Sequence, residues 1–159
     1  MFPSLLIMLF FPLLVVSHEE RDGTFDKAVT FQTEILCHIP KRWCGEITFY
    51  TATKVRGAPL DRFLKDTAFY KNTFCARSSE ANPIFDNTMV PFRNELGGYV
   101  SYQLQHNCSK DGTLDCLDVP FATYIQRDDS FIRLFGHDIG TGSGQGKCPD
   151  LMPSAMFWF

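Results

Sequence analysis

Six cysteines, all placed after an apolar leader, constrain this chain more than any other feature of its sequence. Residues 2–16 carry no charged side chain and have the length of a secretory h-region, which is shorter than a membrane-spanning helix. Val15-Val16-Ser17 offers small residues where a signal peptidase would cut. We interpret residues 1–17 as a signal peptide, with a retained membrane anchor as the alternative. The sequence therefore predicts a secreted, extracellular protein.

An even number of cysteines in an exported chain indicates a framework of disulfides. The cysteines are Cys37, Cys44, Cys75, Cys108, Cys116 and Cys148. The residues alone leave their connectivity open. No two of them have the Cys-x-x-Cys spacing of a zinc site, so we expect neither a structural metal nor a cofactor.

Composition favours one folded domain and argues against nucleic acid as a partner. The chain is 21% charged, with a formal net charge of -3, and its basic residues are scattered. Proteins that bind nucleic acid cluster Lys and Arg to neutralise phosphates. We expect a flexible N-terminal segment over residues 18–28, one domain over 29–148 and an apolar tail over 149–159.

Alternation of apolar and polar residues begins near Val29 and is typical of half-buried strands. Phe31, Thr33 and Ile35 share one parity. In the clearest strand, residues 99–106, one face is expected to point inward and carries Val100, Tyr102, Leu104 and His106. The other face is expected to meet water and carries Ser101, Gln103 and Gln105.

Asp111-Gly112 is a common hairpin signal, and alternation resumes over residues 119–125. The strands on either side are therefore expected to pair antiparallel. Seven or eight short strands separated by turns, without a convincing amphipathic helix, predict an all-β protein of the β-sandwich class.

Several segments resemble the transthyretin-like proteins that nematodes secrete. They are Phe31 to Cys37, Ile47 to Tyr50, Phe74, Tyr102 to Cys108 with the later Cys116, and Asp138 to Thr141. The chain departs from that family where Thr33 replaces a Gly, where Asn72-Thr73 precede Phe74, and at Gln126. Cys44 and Cys75 are additional to the cysteines usual in that family.

The resemblance implies an immunoglobulin-like or transthyretin-like β-sandwich of seven to eight strands, stabilised by disulfides. It also implies a bridge between Cys108 and Cys116, which would join two hairpin strands. The additional Cys44 and Cys75 would then pair with each other, and Cys37 would pair with Cys148.

Histidines invite an enzyme hypothesis, because relatives of transthyretin that hydrolyse 5-hydroxyisourate use His and Arg. Those enzymes end in Tyr-Arg-Gly-Ser, whereas this chain ends in Met-Phe-Trp-Phe. The histidines are His18, His38, His106 and His137. We interpret His106 as a buried structural residue and not as a general base. We therefore expect no enzyme and no catalytic residue.

Three further motifs have ordinary structural interpretations. A bridge at Cys108 is favoured over a thiolate nucleophile. The glycine-rich run 140–146 lacks the Gly-Lys-Ser/Thr ending of a phosphate loop, so we interpret it as a linker. Asn107-Cys108-Ser109 matches a glycosylation sequon, which a bridged Cys108 would hinder, and Asn107 stays a possible glycosylation site.

The sequence thus favours a secreted, non-enzymatic binding module that carries a small apolar ligand or binds a cell-surface partner. The main alternative is a secreted effector that contacts host or neighbouring proteins through its loops and the apolar tail; a hydrolase is a remote third. We expect an extracellular partner, no nucleic acid and no membrane span after signal cleavage. The oligomeric state stays open.

Overall fold

The computed structural model describes residues 25–57, 62–77, 82–93, 95–134, 136–140 and 146–149. The predicted signal peptide and nearly all of the predicted apolar tail lie outside these residues. The described residues form nine strands and no helix. The strands are β1 (Phe25–Cys37), β2 (Arg42–Lys54), β3 (Phe63–Arg77), β4 (Asn82–Phe92), β5 (Gly97–His106), β6 (Asp115–Asp118), β7 (Thr123–Gln126), β8 (Phe131–Arg133) and β9 (His137–Gly140).

These strands form two sheets. Sheet I has the order β4-β1-β8, with β9 also paired to β1, and sheet II has the order β3-β2-β5-β6, with β7 also paired to β5. β1 is antiparallel to β4 and parallel to β8 and β9. All pairs in sheet II are antiparallel. The all-β expectation is confirmed.

The inner faces of the two sheets meet in one hydrophobic core. Phe31 of β1 stacks on Phe49 of β2 with ring centroids 4.8 Å apart, and both side chains are fully buried. Ile35 of β1 and Leu104 of β5 are also fully buried. The predicted inward face of residues 99–106 is therefore confirmed, and the parity shared by Phe31, Thr33 and Ile35 proves to be the buried face of β1. Alternation identifies such faces because neighbouring side chains of a strand point to opposite sides of the sheet.

Two expectations about the strands need correction. The described residues form nine strands and not seven or eight, because the region from Phe131 onward supplies two short strands, β8 and β9, that both lie beside β1. β1 begins at Phe25, so residues 25–28, which we expected to be flexible, belong to a strand. The predicted antiparallel pairing across the Asp111-Gly112 turn is confirmed, with β5 paired to β6 along one half and to β7 along the other.

The outer face of β5 does not meet water as expected. Ser101 and Gln103 are only 2% and 3% exposed. The Ser101 hydroxyl donates to the backbone carbonyls of Val119 and Phe121, at 3.3 and 2.8 Å. The alternating pattern identified this face of β5 as polar correctly. It carries no information on which later segments of the chain cover the face.

All six cysteines form disulfides, and two of the three implied pairings are wrong. The bridges are Cys37–Cys108, Cys44–Cys75 and Cys116–Cys148. Only the Cys44–Cys75 pairing agrees with the expectation; these residues face each other in the β2–β3 register. Cys108 follows the end of β5 and bonds to the end of β1, so this bridge joins the two sheets. The implied partner of Cys108, Cys116, instead holds Cys148 against sheet II.

Candidate functional site

Three strand ends meet at one end of the two sheets and enclose a cavity of about 320 Å³. β2 ends there at Lys54, β4 ends at Phe92 and β5 begins at Gly97. We call this cavity the end cleft. Its volume lies at the lower end of the range typical of small-molecule sites.

Two glycines allow the backbone to close around the end cleft. Gly97 has a φ of 124°, and a Cβ there would lie 2.0 Å from the carbonyl oxygen of Ile125. Only glycine adopts this conformation at low cost. A Cβ on Gly98 would lie 3.2 Å from Cδ1 of Phe92. The start of β5 therefore approaches both β7 and β4 closely.

The floor of the end cleft is apolar and its wall is aromatic. Four buried residues of three strands form the floor: Ala52, Val90, Phe92 and Val100. Tyr99 and Tyr124 line the wall, with ring centroids 5.0 Å apart. Tyr124 is 43% exposed, so part of its ring faces the opening. An apolar group can therefore leave water inside this cleft.

Among the residues that the structure describes, the rim of the end cleft has three cationic side chains and one acidic side chain. They are Lys54, Arg56, Arg93 and Asp66. The Thr53 hydroxyl donates to Oδ2 of Asp66 at 2.6 Å, which fixes this carboxylate at the rim. A ligand with an apolar body and a negative end group matches this distribution.

Sequence reasoning missed the end cleft. Its cations belong to short runs after strand ends, Lys54-Val55-Arg56 and Phe92-Arg93, which read as ordinary solvated surface. The usable signal was the pair Gly97-Gly98 directly before the clearest strand, because adjacent glycines mark a close approach of backbone. Nothing in the sequence showed that β2 and β4 end at the same place.

The structure describes three of the four histidines, and each has different neighbours. His18 lies outside the described residues. His38 is exposed and its Nε2 lies 2.8 Å from Oδ2 of Asp138. His137 contacts the rings of Tyr102 and Phe121, with centroids 5.9 and 6.0 Å away. Among the described residues, no hydrogen bond or ring contact joins two histidines.

His106 is buried, as expected, at 2% exposure. Its Nδ1 makes no hydrogen bond within the described part of the chain. The ring packs edge-on against Trp43, with centroids 6.4 Å apart. Burial lowers the pKa of His106, and the neighbouring Asp115 opposes this shift only in part. The neutral ring is therefore favoured.

A buried carboxyl lies in the core near the sheet edges formed by β3 and β4. Asp86 is 1% exposed and its Oδ1 accepts a hydrogen bond of 2.6 Å from Nδ2 of Asn72. Burial raises the pKa of Asp86, and the hydrogen bonds from Asn72 and Tyr70 offset this rise only in part.

The Asn107 sequon is tied into the fold. Oδ1 of Asn107 accepts a hydrogen bond of 2.7 Å from the backbone N–H of Cys44, and Cys108 is bridged to Cys37. Ser109 is buried and its hydroxyl donates to the carbonyl of Thr113. The hydrogen bond uses Oδ1 and the neighbouring Cys108 is fixed by its bridge, so a glycan on Nδ2 would have to fit beside both.

Among the residues that the structure describes, no group of three or more His, Cys, Asp or Glu side chains is arranged to hold a metal ion. Over the same ranges no helix is long and apolar enough to cross a membrane.

Comparison with known proteins corrects the family assignment. No curated protein and no solved structure shows significant similarity to the chain. One family model matches residues 32–148, and it is not that of the transthyretin-like family, so the resemblance drawn from short motifs is wrong. Strands, turns and cysteines follow one another at similar spacing in many small β-proteins, so motifs of this kind do not identify one family. The matched span covers most of the chain, which therefore belongs to the family described as "Caenorhabditis elegans protein of unknown function (DUF870)".

Proposed function

We propose that the protein is a secreted, non-enzymatic binding module that carries a small, largely apolar ligand in the end cleft. The cleft itself supports this proposal, because its buried floor and aromatic wall offer apolar surface that a ligand can cover. Its cations favour a ligand with a negatively charged end group.

Secretion and the absence of catalysis belong to the same proposal. Three disulfides in a domain of this size are consistent with an extracellular protein. Because every cysteine is bridged, no thiolate is available as a nucleophile. Among the described histidines, burial lowers the pKa of both His106 and His137.

We also propose that the two sheets form a sandwich of the immunoglobulin-like class. Face-to-face packing around one core supports this assignment. The strand order differs from that of immunoglobulin constant domains, where the first two strands are neighbours, because β1 and β2 lie in different sheets here.

Fluorescent probes test the proposed ligand site. We expect 1-anilinonaphthalene-8-sulfonate, which has an apolar body and a sulfonate, to bind the disulfide-intact protein saturably. Ala52→Leu fills the cleft floor and should weaken binding at least about tenfold, a change of about 1.4 kcal/mol. Arg93→Ala should weaken binding of this anion but not of the neutral probe Nile red.

Ala28→Leu is the matched control, because Ala28 is exposed on β1, away from the cleft. Equal binding by wild type and Ala52→Leu would refute the site. Native mass spectrometry of protein secreted from eukaryotic cells tests the carrier role: a retained small molecule supports it. Recovery of a protein partner without any small molecule would favour the effector alternative.

A further inference from the structure

We propose a second binding site, for a linear and uncharged oligosaccharide, on the face of sheet II that points away from the core. This site, the outer groove, lies along β2 from Glu46 to Tyr50, with the buried amide of Gln103 as its anchor. It shares no lining residue with the end cleft. The proposal is therefore independent of the proposed carrier function.

Gln103 presents a buried hydrogen-bond donor that the described protein does not satisfy. Its side chain is 3% exposed, and the Tyr50 hydroxyl donates to its Oε1 at 3.0 Å. This bond orients the amide and leaves Nε2, which has no partner within the described ranges. Buried polar groups in proteins are nearly always paired, so an unpaired one at a cavity indicates a missing acceptor.

The cavity beside Gln103 is about 120 Å³ and its lining is polar. Thr48 and Gln105 contribute a hydroxyl and an amide from β2 and β5. Glu46 and Lys71 form an ion pair of 2.7 Å, so their charges largely cancel within the groove. The lining thus combines donors and acceptors, and Lys147 is the one charged residue outside this ion pair in the described lining.

A covalently held segment forms one wall of this cavity. Lys147, Cys148 and Pro149 line it, and the Cys116–Cys148 bridge ties this segment to β6, next to β5. The groove therefore has a rigid base in the sheet and a wall that a disulfide fixes. A site built in this way is ordered before its ligand arrives.

The cavity continues along β2 in both directions. It shares Glu46 and Gln105 with an open hollow of about 470 Å³ on one side. It shares Thr48, Tyr50 and Lys71 with another open hollow, of about 380 Å³, on the other side. A groove that is narrow in the middle and open at both ends fits a linear ligand of several units, held most closely at a central unit.

The chemistry of the groove favours a saccharide over a peptide. A sugar hydroxyl both donates and accepts, so it can pair with amides, hydroxyls and a carboxylate alike. An extended peptide usually binds by adding a strand to a sheet edge, but β2 is paired on both sides, with β3 and β5. The chain's own tail, residues 151–159, offers a single side-chain hydroxyl and is otherwise apolar, so it does not match this groove.

The test follows the Gln103 side-chain amide in ¹H–¹⁵N spectra of the full disulfide-bonded protein. The probes are chitotriose, cellotriose, maltotriose and laminaritriose, with trigalacturonate as the charged comparison. We expect at least one neutral trisaccharide to shift this amide saturably. Gln103→Met should weaken that binding roughly tenfold, the scale of one buried hydrogen bond. Gln103→Met also removes the acceptor of the Tyr50 hydroxyl, so urea unfolding of the variant is compared with that of the wild type to show that the fold is retained.

Gln126→Met is the matched control, because Gln126 is exposed on β7 and lies outside the groove. Tyr50→Phe removes the hydroxyl that orients the Gln103 amide and should weaken binding without displacing the groove. The proposal is overturned if no neutral trisaccharide shifts the Gln103 amide, if Gln103→Met binds as wild type does, or if only trigalacturonate binds. Shifts confined to the end cleft would overturn it as well.

Discussion

Removal of the Cys37–Cys108 bridge should destabilise the protein more than removal of either other bridge. Its cysteines lie 71 residues apart, against 31 for Cys44–Cys75 and 32 for Cys116–Cys148. The chain-entropy relation converts these separations to about 4.4, 3.7 and 3.7 kcal/mol at 25 °C. Loop length alone therefore separates the core bridge from the others by about 0.7 kcal/mol.

Burial adds to this difference. Cys37 and Cys108 are both fully buried within the hydrophobic core, whereas Cys75 is exposed. Changing both core cysteines to Ala removes two buried sulfur atoms, and we expect roughly another 1 to 2 kcal/mol from lost packing. The double variant C37A/C108A should thus be less stable than C44A/C75A by roughly 2 kcal/mol.

Equilibrium urea unfolding measures this difference directly. The fluorescence of Trp43, which is 1% exposed, should report loss of the core. Free energies of unfolding in water are compared only if the dependence on urea is similar for both double variants. The reasoning fails if C37A/C108A is as stable as C44A/C75A or more so, because both loop length and burial favour the opposite order.

Three further outcomes are expected. Phe31→Ala should lower the free energy of unfolding by about 3 to 5 kcal/mol, because it removes the ring stacked on Phe49. Phe85→Ala, at an exposed position, should change the free energy of unfolding by no more than about 0.5 kcal/mol, and urea unfolding compares the two variants. Folding raises the pKa of Asp86, so this carboxyl stabilises the protein below its ordinary pKa of 3.8, and the stabilisation is lost as pH rises through its pKa in the folded state. Asp86→Asn should remove this loss of stability with rising pH, which a series of unfolding curves at different pH measures. Asn107→Ala should lower the free energy of unfolding by about 1 to 3 kcal/mol, because it leaves the Cys44 N–H without its acceptor. Intact-mass measurement of protein secreted from eukaryotic cells should show Asn107 without a glycan.

The sequence predicted the core better than it predicted the site. Leu104 was placed inside correctly, and the shared parity of Phe31 and Ile35 matches the buried face of β1, because burial within a strand repeats every second residue, a pattern that local sequence carries. The same pattern predicted that Gln103 is exposed to solvent, because it shows only that the residue is polar. Its burial depends on Tyr50 and on a segment more than forty positions later, Lys147 to Pro149, which no local pattern connects to β5.

The disulfide pairing shows the same limit. The implied Cys108–Cys116 bridge relied on nearness along the chain across one turn. The structure instead bonds Cys108 to Cys37, because the ends of β5 and β1 meet only once the two sheets pack. Cys44 and Cys75 pair between neighbouring strands of one sheet, so their bridge needs no knowledge of sheet packing.

The positions of the bridges also separate stability from binding. In the chain-entropy account, a bridge stabilises according to the length of chain it closes and not according to where it lies in the fold. Two bridges at the outer face of sheet II would therefore stabilise the protein equally well elsewhere. Their position has a local consequence, since Cys44–Cys75 lines one open hollow of the outer groove and Cys116–Cys148 holds its wall. Only Cys37–Cys108 joins the two sheets, so the core depends on one bridge while the other two shape the outer groove.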